Sequence, residues 1–144
     1  SFRKLSAWAE QNLSGTVRLV QAGAWCEDTM LRFSDQAGRQ SRVAAKGRET
    51  QMRALDSVLD GRPCTFLKMD VEGAEREAIA GAEQTIRQHR PKLNIAAYHR
   101  SEDFFQLPLL IHTLCPGYRL YLRHHPYVPA WDTNLYAVVN NAGN

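Results

Sequence analysis

An α/β fold built on a mostly parallel sheet with flanking helices is what this sequence predicts, and three observations predict it. From Cys64 to His125, β-prone and helix-period segments alternate as strand, helix, strand, helix, strand, the pattern of a parallel sheet with helical crossovers. The last two β-prone runs are joined by a short non-helical loop, which makes them an antiparallel pair. The central run, Cys64-Thr-Phe-Leu-Lys-Met69, empties into Asp70-Val-Glu-Gly73 and then into a helix. Open α/β sheets bind ligands at the carboxyl ends of such strands, so Asp70, Glu72 and Glu75 are the first residues to consider.

The elements follow in order. Phe2, Leu5, Trp8, Ala9 and Leu13 recur at helical spacing, with Gly15 as the stop. Thr16–Val20 alternates and reads as a strand running into Gln21–Trp25. Thr29–Phe33 and Thr50–Ala54 alternate again, and between them Ser34–Arg48, rich in Gly, Ser, Gln and charge, reads as a mobile loop. Leu55–Leu59 is one helical turn closed by Gly61 and Pro63. Ala74–Arg90 carries Ala78, Ile79, Ala82 and Ile86 on one face and reads as a single helix, acidic at its start and basic at its end, stopped by Pro91. Lys92–Tyr98 is the next strand and delivers His99 at its carboxyl end. Leu107–Leu114 is an apolar helix with Pro108 in its first turn. Tyr118–His125 and Asn134–Val139 are the closing strands, joined by a loop holding Pro126, Pro129 and Trp131.

The 144 residues make one domain, 1–144, able to bury a core. With 44% hydrophobic and 23% charged residues and a net charge of +3, the composition is that of a globular protein and points to neither a nucleic-acid nor a membrane surface. Cys26, Cys64 and Cys115 are odd in number and far apart, which disfavours a disulfide framework and a zinc site and suits a reducing compartment. No apolar run reaches membrane-spanning length and the first residues lack a signal peptide's apolar stretch, so a cytoplasmic location is expected.

At Lys68-Met-Asp-Val-Glu-Gly-Ala-Glu75, followed by Ala78–His99, the sequence resembles the FkbM family of S-adenosylmethionine-dependent methyltransferases. The resemblance extends to Gly23-Ala24-Trp25, Ala54–Ser57, Arg90–Leu93, Tyr98–Asp103, Tyr118–His124 and Asp132–Ala137, so it covers nearly the whole chain. It implies a partial Rossmann-like class I methyltransferase fold with an antiparallel last strand, S-adenosylmethionine as cofactor, and methyl transfer to a hydroxyl oxygen of a small-molecule, glycan or lipid acceptor. The family's glycine-rich cofactor loop has no counterpart, since no two glycines are closer than eight positions. The chain thus reads as a truncated methyltransferase domain, inactive alone. A truncated sheet leaves Thr16–Val20 without its neighbour and one side of Cys64–Met69 unpaired. Unpaired buried backbone groups cost on the order of 1–3 kcal/mol each. The expectation is therefore that Thr16–Val20 moves beside Cys64–Met69, or that a second copy covers the exposed edge by self-association.

Methyl transfer to an alcohol needs alignment and removal of the hydroxyl proton. By resemblance, Asp70 faces donor and acceptor and orients or deprotonates the acceptor, or ligates a metal; the plainer alternative is that it caps the following helix. Glu72 lies just beyond and is the third catalytic candidate beside Asp70 and His99, while Glu75 reads as a first-turn charge complementing the helix dipole. His99 ends the neighbouring strand and should open onto the same rim as a general base, or else hydrogen-bond the 100–103 loop. Asp70, Glu72 and His99 match no known zinc spacing, and no metal is assigned. By the same resemblance Ala22, Gly23, Ala24 and Trp25 bracket the adenine of the cofactor, with a core role the alternative for Trp25. Asp132 and Thr133 precede the last strand as candidates to border the acceptor pocket, an ordinary turn being the alternative. Two other functions stand beside the enzyme: a non-catalytic remnant or binding module keeping the substrate-side half of the fold, and, remotely, a small basic domain contacting nucleic acid through Arg119 and Arg123.

Overall fold

The computed structural model describes residues 2–33, 47–126 and 132–139. In chain order the elements are α1 (Phe2–Asn12), β1 (Gly23–Ala24), β2 (Thr29–Phe33), β3 (Arg48–Arg53), α2 (Leu55–Leu59), β4 (Phe66–Met69), α3 (Glu75–Ala80), α4 (Glu83–His89), β5 (Lys92–Ala96), α5 (Asp103–Leu114), β6 (Tyr118–His124) and β7 (Thr133–Val139). The strands form two sheets where one was expected: a small one in the order β1-β3-β2 and a larger one in the order β4-β5-β7-β6. In the larger sheet β4 and β5 pair in parallel, and β7 lies antiparallel between β5 and β6. The antiparallel final pair is as predicted.

One face of the larger sheet makes the core. Alternation along the strands sends Leu93 and Ile95 of β5 and Leu135 and Ala137 of β7 to the same side. There they meet Ala78 and Ile79 of α3, Ile86 of α4, and Leu107 and Ile111 of α5. Each fully buried Leu or Ile is worth roughly 1.5–3 kcal/mol, so this layer holds α3, α4 and α5 on the sheet. The opposite face carries Phe66 and Tyr121, 56% and 38% exposed.

Four expectations are corrected. Thr16–Val20 is not a strand: the segment is largely exposed, tied to the protein by Arg18, which donates to the Val58 carbonyl at 3.1 Å. It does not move beside β4, whose outer edge has no partner among the described residues. Ala74–Arg90 is two helices, broken at Gly81–Ala82. A Cβ at Gly81 would collide with the Trp25 carbonyl oxygen, and the carboxylate of Asp56 accepts from Gln84 N and Thr85 N at 2.9 Å each and from Thr85 Oγ1 at 2.6 Å. Asp56 thereby does for the start of α4 what a capping side chain does, from 28 residues away. Finally, α5 begins at Asp103, so Pro108 lies inside it. An interior proline costs about 3 kcal/mol; burial of Leu107, Ile111 and Leu114 along the same helix outweighs that. The loop expected over 34–48 lies outside the described residues as far as 46, and Arg48 already pairs with Phe33. Pro129 and Trp131 of the last connection also lie outside the described residues.

Candidate active site

β4 and β5 run in register, Met69 opposite Ile95, so the residues that follow each strand emerge at the same end of the sheet. After Met69 the chain turns sharply, with Glu72 at φ 55° and Gly73 at φ 94°. The left-handed region suits glycine but costs another residue roughly 1–2 kcal/mol, so Glu72 is held there by its surroundings. Ala74 N donates to Val71 O at 3.2 Å, and Val71 N donates to Glu75 Oε1 at 3.1 Å. A side chain at Gly73 would begin 3.3 Å from Arg100 Nε and 3.7 Å from His99 Cβ. The turn after β4 therefore packs directly on the segment after β5.

This packing brings an imidazole among three carboxylates. His99 Nε2 lies 2.9 Å from Asp70 Oδ1 and 3.5 Å from Glu75 Oε1, while its Nδ1 lies 3.7 Å from Glu72 Oε2. Burial is graded: Glu75 is fully enclosed, the His99 side chain is 13% exposed, and the Asp70 and Glu72 side chains are 45% and 72% exposed. The Tyr98 hydroxyl donates to both oxygens of Asp70, at 3.3 and 3.2 Å. Burial first, and then the negative charge of Asp70, pushes the Tyr98 phenol up to about 12, so at neutral pH it is a donor and not a base. Asp103 is buried, and neither of its carboxyl oxygens has a hydrogen-bond partner among the described residues. Burial, then the charge of Glu75, pushes it above the usual carboxylate range, against the pull of Arg100.

Asp70, Glu72 and His99 are thus brought together as expected. Asp70 does not cap α3, whose first turn has Ala74 at the cap position and no side-chain cap. Glu75 is no solvated first-turn charge; it is buried, bonded to the turn and facing His99. Asp132 and Thr133 border the same end of the sheet: Ala97 N donates to Thr133 O at 2.9 Å, and Asp132 is close enough for its charge to act on Tyr98. Ala22–Trp25 lie elsewhere. Trp25 N donates to Arg53 O and its carbonyl meets Gly81, at the far end of α3 from Glu75. Strict alternation predicts residues 98 and 99 on opposite faces, which hides Tyr98 from a reading of the sequence. β5 ends at Ala96, and beyond it both rings turn to the rim, their centroids 4.3 Å apart.

The sequence profile described as the methyltransferase FkbM domain matches residues 12–129. The chain belongs to the FkbM methyltransferase family. The crystal structure of methyltransferase FkbM from Methylobacillus flagellatus KT is similar to this FkbM chain, with 32% sequence identity and a TM-score of 0.71 over 94% of its length. The chain spans 32% of that protein's length. Among curated proteins, none matches it.

Residues 22–25 are engaged in packing the small sheet. The space a side chain would take at Gly23 is filled by the Met52 side chain, 2.6 Å away. Gly23 and Ala24 are paired with Met52 and Arg53, so the segment is occupied with packing the small sheet. The imidazole and its three carboxylates lie at the rim of β4 and β5.

Proposed function

We propose that this chain supplies the acceptor side of an FkbM methyltransferase that moves a methyl group from S-adenosylmethionine to a hydroxyl oxygen of a small-molecule, glycan or lipid acceptor. The observation that carries the reading is the 2.9 Å contact between His99 Nε2 and Asp70 Oδ1 at the carboxyl rim of two parallel strands, in a member of a methyltransferase family. As the hydroxyl oxygen becomes an ether it must lose its proton, and a positioned carboxylate–imidazole pair is a suitable recipient. Asp70 is half-exposed and reaches the solvent side; His99 stands behind it; Tyr98 donates to the same carboxylate and fixes its direction. Glu72 flanks the ring from the open side, and Asp132 and Thr133 border the space an acceptor would enter.

In the full-length context, Asp70→Asn and His99→Ala should each lower turnover with labelled S-adenosylmethionine at least tenfold, with little change in thermal midpoint. Full activity in both variants would move the acceptor site elsewhere. The filled space at Gly23 favours a second reading for the chain by itself, a binding module without catalysis. Calorimetry of the 144-residue chain with S-adenosylmethionine is expected to give no measurable binding. Micromolar affinity would overturn that and restore residues 22–25 as a cofactor site.

A further inference from the structure

We infer that Asp70, Glu75 and His99 form a binding site for a divalent first-row transition cation. One oxygen from each carboxylate and one ring nitrogen lie within 4.8 Å of one another. Ligands about 2.1 Å from a shared ion sit about 3.0 Å apart at adjacent octahedral positions and about 3.4 Å apart in a tetrahedron. The distances from His99 Nε2, 2.9 Å to Asp70 Oδ1 and 3.5 Å to Glu75 Oε1, lie within about 0.1 Å of those two spacings. One imidazole with two carboxylates is a donor set for Mn2+, Fe2+ or Zn2+, harder than a thiolate site and softer than an all-oxygen one.

A second observation points to a ligand. Glu75 is fully buried, and among the described residues its Oε2 has no hydrogen-bond donor, while Oε1, the oxygen near His99, accepts from Val71 N. A buried carboxylate with an unpartnered oxygen is costly, and a cation held by Glu75 would offset that cost. Charge agrees: among the described residues, the ion pairs of Asp70, Glu72 and Glu75 all run to the same imidazole. Even a protonated ring leaves the group negative. The arrangement also places a carboxylate near the other ring nitrogen, at a distance beyond a hydrogen bond. With Nε2 as the ligand, Nδ1 carries the proton and faces Glu72 Oε2 at 3.7 Å. Glu75 would grip the ion from inside and Asp70 from the solvent side, leaving open positions toward the rim. If the methyl-transfer reading holds, an acceptor hydroxyl there would be polarised for proton loss; cation binding itself does not depend on that reading.

The test is calorimetry and electron paramagnetic resonance of the 144-residue chain titrated with MnCl2, without donor or acceptor. One Mn2+ should bind per chain, with loss of the free-ion signal and a rise in thermal midpoint. Glu75→Gln and His99→Ala should each weaken binding at least tenfold, whereas Glu49→Gln, an exposed acid on the small sheet, should not. If Glu75→Gln does not fold, His99→Ala and Asp70→Asn decide. Absence of binding at millimolar Mn2+, or equal binding by wild type and all site variants, overturns the proposal. Neither result touches the methyl-transfer reading, which is read from turnover.

Discussion

Asp103 opens α5 from inside the protein, and the consequence is a stability that depends on pH. Its folded-state value lies above the usual 3.8 because burial, and then Glu75, disfavour the charge. The native state therefore holds this proton more tightly than the unfolded chain. Its contribution to stability is complete below the unfolded value and is lost as pH rises through the folded one. Asp103→Asn keeps the shape and removes the charge, so the variant should match or trail the wild type at pH 3 and exceed it at pH 7, followed by thermal unfolding across that range. A wild type that gains on the variant as pH rises would show that the charge is compensated. Tyr98 makes a second prediction at this scale. Spectrophotometric titration should show one phenol ionising near 12, absent in Tyr98→Phe; in full-length context the same variant should lower turnover by freeing Asp70. At this scale the sequence identified Asp70, Glu72 and His99 but misjudged Glu75. An acid in a helix's first turn ordinarily faces water, and what turns Glu75 inward is the left-handed bend at positions 72 and 73. That bend is stabilised by contacts with the far segment at 99 and 100.

Among the elements, the α3–α4 break carries the clearest mechanical consequence. Asp56→Ala removes the acceptor for two backbone N–H groups and one hydroxyl at the start of α4. Loss of such a cap costs about 1–2 kcal/mol, so urea unfolding should show a lower midpoint, with Asp56→Asn intermediate. A midpoint equal to wild type for Asp56→Ala would mean that α4 is held by its buried face alone. Gly81→Ala forces the helices away from the Trp25 carbonyl and should cost about 1–3 kcal/mol, as overpacking does. Periodicity cannot reveal this break, because Ala78, Ile79, Ala82 and Ile86 stay buried along one stripe through both helices. The break is imposed by Trp25 and Asp56, residues remote in the chain. Pro108 misled for the related reason that a local rule for proline was outweighed by the burial of Leu107 and Ile111.

At the scale of the whole molecule, the larger of the two sheets has one covered face and two unlike edges. β6 presents Arg119 and Arg123 along its strand, charges of the kind that discourage edge pairing. β4 presents Phe66, 56% exposed, and Lys68 on a short strand with one side open among the described residues. Sedimentation across the micromolar range should therefore show reversible self-association of the chain, reduced by Phe66→Glu. A wild type that stays monomeric throughout would mean that Lys68 and the shortness of β4 protect the edge.

What the sequence by itself determined is the order and period of the elements around the larger sheet, the antiparallel last pair, the FkbM family, and the acid and imidazole at the ends of adjacent strands. The elements and the rim residues follow from residue type and spacing, which act locally, and the family from the resemblance of its motifs. The tertiary structure alone decided that Thr16–Val20 finds no strand partner, that a second small sheet forms, that the long helix divides at Gly81, that Gly23 packs against Met52, and that Glu75 and Tyr98 join His99 at the rim. Each of these depends on which distant backbone or side chain fills the neighbouring space, and periodicity along the chain carries no information about that.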